Sequence, residues 1–219
     1  MKKQAAFFDF DGTIIRGESS KYGTNFLFKK GLKVSPSFIL KTFYYYLLYK
    51  TDIISEENMT NLLLSFYKGK KLNFFTEVVP EFYEEYIIDD LFPKIVEITK
   101  EHKKNGRITV IASASLCYFM EYIKERLDFD YALCTELKVD HKGILTGESA
   151  DGICIGEKKK NCVIQFSKKY NINLSESFGY GNHHKDIPFL EIVGHPVAVN
   201  PNRKLKETAY KNGWDIIKG

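Results

Sequence analysis

Cysteine is scarce in this sequence: Cys117, Cys134, Cys154 and Cys162 are the only four among 219 residues, with no C-x-x-C pair and no histidine-rich run beside them. That pattern argues against both a zinc site and a disulfide framework, so the four read as buried or incidental thiols of a reducing compartment. Long apolar runs are missing as well. The nearest candidate, 38–49, contains Lys41 and falls short of the roughly 20 residues that span a bilayer. Charge of one sign is also lacking: 32 Lys and Arg stand against 28 Asp and Glu. A dispersed excess of this size does not mark a nucleic-acid binder, although it would not repel a small anion. Internal repeats and low-complexity linkers are absent, and the one tryptophan, Trp214, reads as a packing anchor for the last segment. The first residues lead straight into an acid-bearing strand, so a cleaved leader would take that strand with it; a cytoplasmic location is the default expectation.

What the chain does have is Phe7-Phe8-Asp9-Phe10-Asp11-Gly12-Thr13. Ala5, Ala6, Phe7, Phe8 and Phe10 form an apolar run of strand length that Gly12 breaks, placing two carboxylates at the strand's carboxyl end. Ligands of open α/β sheets gather at that edge. Two like charges so close are costly unless a cation or shared proton relieves them. Mg²⁺ suits the place, because it takes oxygen ligands from one or two carboxylates plus substrate phosphate. Asp9 could then attack phosphorus while Asp11 protonates the leaving oxygen and later activates water. The plainer reading is a strand ending in a polar turn, where Asp is common.

Residues from about 17 to 90 carry a helical, strongly aromatic pattern. Ser35-Pro36 predicts an N-cap with proline at the first helical position, and Ile39, Phe43, Leu47 with Leu40, Tyr44, Leu48 make two adjacent i, i+4 stripes. Ser55-Glu56-Glu57 predicts another helix start, and Phe74 to Tyr86 a third helix. Beyond Asp90 strands alternate with helices: helix over 95–104, strand over 107–112, helix over 116–127, a short strand near 131–133, a hairpin around Asp140-His141-Lys142-Gly143, helix over 159–170, strands over 177–181 and 196–199, and a last helix over 203–211. This alternation implies an α/β fold with a mostly parallel sheet covered on both faces, interrupted after its first strand by a helical insertion.

Three later segments would converge on the same crevice. Ser113 ends the 107–112 strand, with Ala114-Ser115 opening the next helix and Ser115 as its cap; hydroxyls and backbone N–H groups there suit phosphate. Glu157-Lys158-Lys159-Lys160 begins a helix from which one ammonium could reach Asp9, the others forming a solvated basic turn. Gly179-Tyr180-Gly181-Asn182-His183-His184-Lys185-Asp186 is a strand-to-helix loop rich in oxygen donors, with Asp186 also able to cap the following helix.

With these four places in hand, the chain resembles the haloacid dehalogenase superfamily, in the branch that contains phosphoserine phosphatase. Asp9-Phe10-Asp11-Gly12-Thr13 matches the first motif, Ser113 the second, Lys159 the third, and Gly181 to Asp186 the fourth; Cys154-Ile155-Gly156-Glu157-Lys158-Lys159 fits a C-x-G-x-x-K pattern that favours Lys159 over Lys158. The resemblance implies a Rossmannoid core over 1–16 and 91–219 and a helical cap over 17–90 that closes on substrate. It implies Mg²⁺-dependent hydrolysis of a small phosphomonoester through an aspartyl-phosphate on Asp9, with Asp11 as general acid/base and Ser113 and Lys159 on the phosphoryl group. Gly12, Thr13 and Glu18 join the substrate-binding set, and Asp9, Asp11, Asn182 and Asp186 the metal set.

Two departures accompany it. Asn182 stands where the family usually has aspartate, implying weaker metal affinity with the mechanism intact; His183 and His184 read as exposed loop residues rather than ligands of a softer metal. Glu18 aligns with a cap glutamate used for a substrate amine, but no arginine lies between Gly17 and Asp90 to fork a substrate carboxylate, which disfavours phosphoserine. Some relatives act on lipid phosphates, so the aromatic stripe of 38–49 admits contact with a membrane, although the cap's own core is the favoured reading. A phosphoserine phosphatase, a lipid-phosphate phosphatase at a membrane surface, and a binding protein with little turnover are the alternatives. A receiver domain, with its phosphorylated aspartate further along a shorter chain, and a dehalogenase, which does not need the second aspartate, fit less well.

Overall fold

The computed structural model describes residues 2–51, 53–54 and 56–218. Its centre is a six-stranded sheet with strand order β3-β2-β1-β6-β7-β8, in which every pairing is parallel. The strands are β1 (Ala5–Phe8), β2 (Ile108–Leu116), β3 (Tyr131–Thr135), β6 (Phe178–Gly181), β7 (His195–Val199) and β8 (Asp215–Ile217). β1 is short, and all four of its residues are buried. Its side chains alternate between two cores: Ala6 and Phe8 enter one, Ala5 and Phe7 the other. A strand buried on both faces reads as a continuous apolar run, and that is why Ala5 to Phe8 carries no polar residue.

Helices cover both faces. α5 (Pro93–Lys104) and α6 (Cys117–Arg126) supply Ile95, Phe119, Met120 and Ile123 to the first core. α7 (Gly156–Lys169), α8 (Ile187–Leu190) and α9 (Arg203–Asn212) supply Val163, Phe166, Phe189, Leu190, Leu205 and Ala209 to the second, where Trp214 is half-buried. Between β1 and β2 lie α1 (Ser19–Lys29), α2 (Pro36–Lys50), α3 (Glu56–Ser65) and α4 (Leu72–Phe82). α4 contains Pro80 and runs on into a wider π-helical turn, Tyr83–Ile87. Ser35 caps α2 by accepting from Phe38 N at 3.1 Å. The expected cap at Ser55 lies outside the described residues. Phe26, Phe75, Val79, Phe82 and Ile87 of this inserted segment share the first core with Phe8 and Phe10.

Hydrogen bonds fasten the insertion to the sheet unit at its base and again further out. At its base, Asp90 Oδ2 accepts from Gly17 N at 2.8 Å and from the Tyr22 hydroxyl at 3.1 Å, and Ile15 bridges to Leu91. A β-carbon at Gly17 would lie 2.0 Å from the Tyr22 hydroxyl oxygen, so only glycine admits this approach. Further out, a hairpin of β4 (Leu137–Val139) and β5 (Leu145–Ser149) bonds main chain to main chain with the α3–α4 connection: Leu145 N to Lys70 O at 2.9 Å, Gly69 N to Leu145 O at 2.9 Å and Leu72 N to Gly143 O at 3.1 Å.

Three expectations are corrected. β2 does not stop at Ala112: after a register shift it pairs Leu116 with Thr135, so α6 begins at Cys117 with Leu116 at the cap position, and Ser115 is extended strand rather than a helix cap. Cys117 and Cys134 form a disulfide, with 5.1 Å between their Cα atoms, while Cys154 and Cys162 stay free. Sequence spacing hid this pair because adjacency of the β2 end to β3 brings them together. Finally, α2 does not bury its aromatic stripe as a cap core. Among its described residues none is buried, and Ile39, Leu40, Phe43, Tyr44, Tyr46 and Leu47 are exposed.

Candidate active site

β1 delivers Asp9 to the carboxyl edge of the sheet, where Asp9 N donates to Tyr180 O of the neighbouring β6 at 2.9 Å. The chain then turns tightly: Thr13, Ile14 and Ile15 N all donate to Phe10 O. Gly12 sits at φ +71°, and a β-carbon there would fall 2.0 Å from Asn182 Nδ2. The left-handed backbone and the crowding both demand glycine, and the same contact places the Asn182 side chain against the first loop. Thr13 is fully buried, and its hydroxyl has no hydrogen-bond partner among the described residues.

Lys159, on the first turns of α7, reaches into the same place. Its Nζ donates to Asp9 Oδ1 at 2.8 Å and to Asp186 Oδ1 at 2.7 Å, and all three residues are buried. Lys158 points elsewhere and pairs with Asp151 at 2.5 Å. Asp186 Oδ2 accepts from the Asn182 and His183 amides at 3.2 and 3.1 Å, so one carboxylate fixes both the lysine and the fourth loop. Gly181 allows this, because a β-carbon there would meet the Asp186 side chain at 2.7 Å. Burial opposes the Lys159 charge, but Asp186 and Asp9 outweigh it and hold the ammonium above its ordinary range. Asp9 is pushed up to about 7, by burial first and by Asp186 next, against the pull of Lys159.

Asp11 is half-buried and held by a different set of groups. Its Oδ1 accepts from Ser19 N at 2.5 Å, at the start of α1, and its Oδ2 accepts from the Ser115 hydroxyl at 3.1 Å. Ser19 and Ser115 hydroxyls are themselves 3.1 Å apart. Burial raises the Asp11 carboxyl and these bonds partly restrain it. Ser113 is buried and accepts from Ser115 N at 3.1 Å. Sequence reading overlooked Ser19 and misassigned Ser115; only the extended path of β2, invisible in a run of small residues, aims Ser115 at Asp11.

The structure thus brings Asp9, Asp11, Gly12, Ser113, Lys159, Asn182 and Asp186 together. Glu18 does not join them: its side chain is exposed and pairs with Lys21 at 2.9 Å. His183 and His184 are half-buried, not exposed; their rings lie 4.1 Å apart, and His184 Nδ1 meets Asn202 Nδ2 at 2.9 Å. Backbone pairing of Asn202 N with Asn182 O at 2.9 Å ties that loop to the start of α9. Among the described residues no three His, Cys, Asp or Glu side chains are grouped to hold a metal, so any cation here would lean on the Asn182 amide and main-chain oxygens. The charge balance suits a hard divalent ion: Asp9, Asp11 and Asp186 face one ammonium, and an excess of carboxylate is what such an ion relieves.

Comparison with known proteins matches this arrangement to one family. The haloacid dehalogenase-like hydrolase pattern covers residues 6–191. The chain is 30% identical to the Inhibition of morphological differentiation protein of Streptomyces azureus, over 99% of this chain and 79% of that one. It is 28% identical to phosphoserine phosphatase SerB1 of Mycobacterium tuberculosis, over 97% and 70%. Its fold superposes on the crystal structure of a protein of unknown function from Bordetella pertussis Tohama I with a TM-score of 0.88 at 22% identity, covering 99% of both chains. The chain belongs to the haloacid dehalogenase-like hydrolases, with phosphatases among its relatives.

Proposed function

We propose that this protein is a Mg²⁺-dependent phosphatase of small phosphomonoesters that works through an aspartyl-phosphate on Asp9. The observation that carries the reading is the buried bridge from Asp9 through Lys159 to Asp186, which fixes one carboxylate beside a cation at the sheet edge. Asp9 attacks phosphorus, the ester P–O bond breaks, and the departing oxygen takes a proton from Asp11. Water then attacks the same phosphorus, Asp11 accepts its proton, and phosphate leaves with Asp9 restored as carboxylate. The raised Asp11 carboxyl favours the protonated form that the first step needs. Lys159 and Ser113 bind the phosphoryl oxygens. Asp9, the Asp11 main-chain carbonyl and Asn182 would hold Mg²⁺, which supplies charge neutralisation at those oxygens; Asp186, whose two oxygens are engaged with Lys159 and the loop amides, positions that set.

The segment 17–90 acts as the cap over the core of 1–16 and 91–219. Its start is wired to chemistry, because Ser19 N holds Asp11. No arginine occurs in 17–90, which disfavours a carboxylate-bearing substrate such as phosphoserine, and Glu18 would have to leave Lys21 to meet an amine.

The test is turnover of para-nitrophenyl phosphate with Mg²⁺ by wild type and by Asp9→Asn. Activity should fall by roughly 10³-fold or more in the variant, and mass spectrometry of quenched wild type should find phosphate on the peptide bearing Asp9. Wild-type turnover in a folded Asp9→Asn would remove the proposed nucleophile.

A further inference from the structure

Half of the exposed large apolar side chains among the described residues lie on α2, which the catalytic reading leaves unused. Its sequence is apolar around most of the helix, PSFILKTFYYYLLYK, yet it has no buried side chain among those described. Phe38, Thr42, Tyr45 and Tyr49 form the half-buried side, where Phe38 meets Phe66 at 6.0 Å. On the other side, Leu40, Phe43, Tyr44 and Leu47 follow i, i+3, i+4, i+7 spacing and form one continuous stripe, 69%, 58%, 57% and 47% exposed. Ile39 and Tyr46 widen it. Single exposed apolar residues need no explanation, but a contiguous patch of this kind marks a surface that something covers.

The charge around the stripe identifies the occupant. From Ser19 to Thr51 there are six lysines and no acidic residue, while the rest of the chain is slightly acidic on balance. Lys29 and Lys30 pair with Glu85 and Glu81, but Lys33, just before α2, and Lys41, within it, are exposed, Lys41 with its Nζ 5.5 Å from the Tyr45 ring centroid. A second copy of this chain fits badly: Lys41 lies near the middle of α2, and a two-fold pairing of the helices would set lysine near lysine with no acid on either face. An anionic bilayer fits well. Tyrosine favours the headgroup region, phenylalanine and leucine the acyl boundary beneath it, and lysines near the surface are drawn to anionic lipid. At 15 residues the helix is about 22 Å long, too short to cross, and among the described residues no helix is long and apolar enough to do so. It would lie in the plane of the interface with its stripe in the headgroup–acyl boundary.

We infer that α2 docks this protein on anionic membrane surfaces, with Leu40, Phe43, Tyr44 and Leu47 inserted and Lys33 and Lys41 on the headgroups. This reading does not depend on the proposed chemistry, and failure of one leaves the other standing.

The experiment is co-sedimentation with vesicles of phosphatidylcholine alone or with about a third phosphatidylglycerol, an anionic fraction chosen to give a negative surface potential. Wild type should bind the anionic vesicles about tenfold more tightly than the neutral ones, and less tightly as salt is raised. Leu40→Ser/Phe43→Ser/Leu47→Ser should lose about tenfold or more in affinity, and Lys33→Gln/Lys41→Gln should bind neutral and anionic vesicles alike. All three positions of the triple variant are exposed, so its circular dichroism and its turnover of a soluble phosphomonoester should match wild type. Wild type left in the supernatant with both vesicles would overturn the inference, as would a folded triple variant that sediments like wild type. So would a solution dimer that the triple variant dissociates while neither form binds lipid.

Discussion

Asn182 carries an amide where a carboxylate would add a fourth negative group beside Asp9, Asp11 and Asp186. Its contact with Gly12 keeps it against the first loop, so the change Asn182→Asp alters charge without moving the donor. A cation site gains affinity as its ligands gain charge, and the half-saturating Mg²⁺ concentration should fall about tenfold in Asn182→Asp. The same variant should melt at a lower temperature in chelator, where the extra charge has nothing to neutralise it. An unchanged half-saturation would show that position 182 does not touch the ion. A second residue, His102, makes stability depend on pH. It is buried, with Nε2 2.8 Å from the Tyr180 hydroxyl and Nδ1 3.3 Å from an Arg107 nitrogen. Arginine only donates, so Nδ1 accepts and Nε2 bears the proton. Burial first, then Arg107, lowers its pKa from 6.5 to about 4. Between those values the unfolded chain binds the extra proton and the folded one does not, so this contribution is complete above about 6.5 and disappears as pH falls toward about 4. Unfolding free energies from urea titrations at about pH 7 and pH 4.5 should differ by about 2–3 kcal/mol more in wild type than in His102→Gln; the same difference in both proteins would refute the assignment.

Among the elements, the carboxyl end of β2 is cross-tied by a disulfide and side-chain bonds. The Cys117–Cys134 bridge joins the start of α6 to β3 across 17 residues, and Thr135 Oγ1 donates to Ala114 O at 2.7 Å while accepting from Cys154 N at 3.1 Å. Closing a loop of that size stabilises a fold by about 3 kcal/mol in the chain-entropy picture. Reduction, or Cys134→Ser, should therefore lower the melting temperature by roughly 6 to 12 °C; identical melts in oxidant and reductant would mean that the bridge contributes nothing. This element also marks where sequence reading stops. The Ser113-Ala114-Ser115 run has no periodicity, and long-range pairing with β3, not local preference, keeps it extended. The α2 stripe likewise reads as a core face, because periodicity reports apolar side chains and not what they meet. By contrast a strand ending in Asp9 and Asp11 and a helix opening on lysines are local patterns legible in the chain, whereas the choice of Lys159 over Lys158 rests on the resemblance to a family motif and not on local pattern.

At the scale of the whole molecule, strand and helix alternation after Asp90 was enough to read the parallel sheet, and the first core then extends from β1 into the insertion. The insertion is consequently held at both extremes. Asp90 secures its root, and the main-chain bonds between 69–72 and 143–145 secure its far side. A lid attached at one edge only could swing clear as a rigid flap. On the proposed reading of 17–90 as a cap, one attached at both must first break the outer bonds to open, so solvent exchange with Asp9 would wait on a local unzipping of the hairpin seam, and faster hydrogen exchange at Gly69, Leu72 and Leu145 than in the sheet would register it.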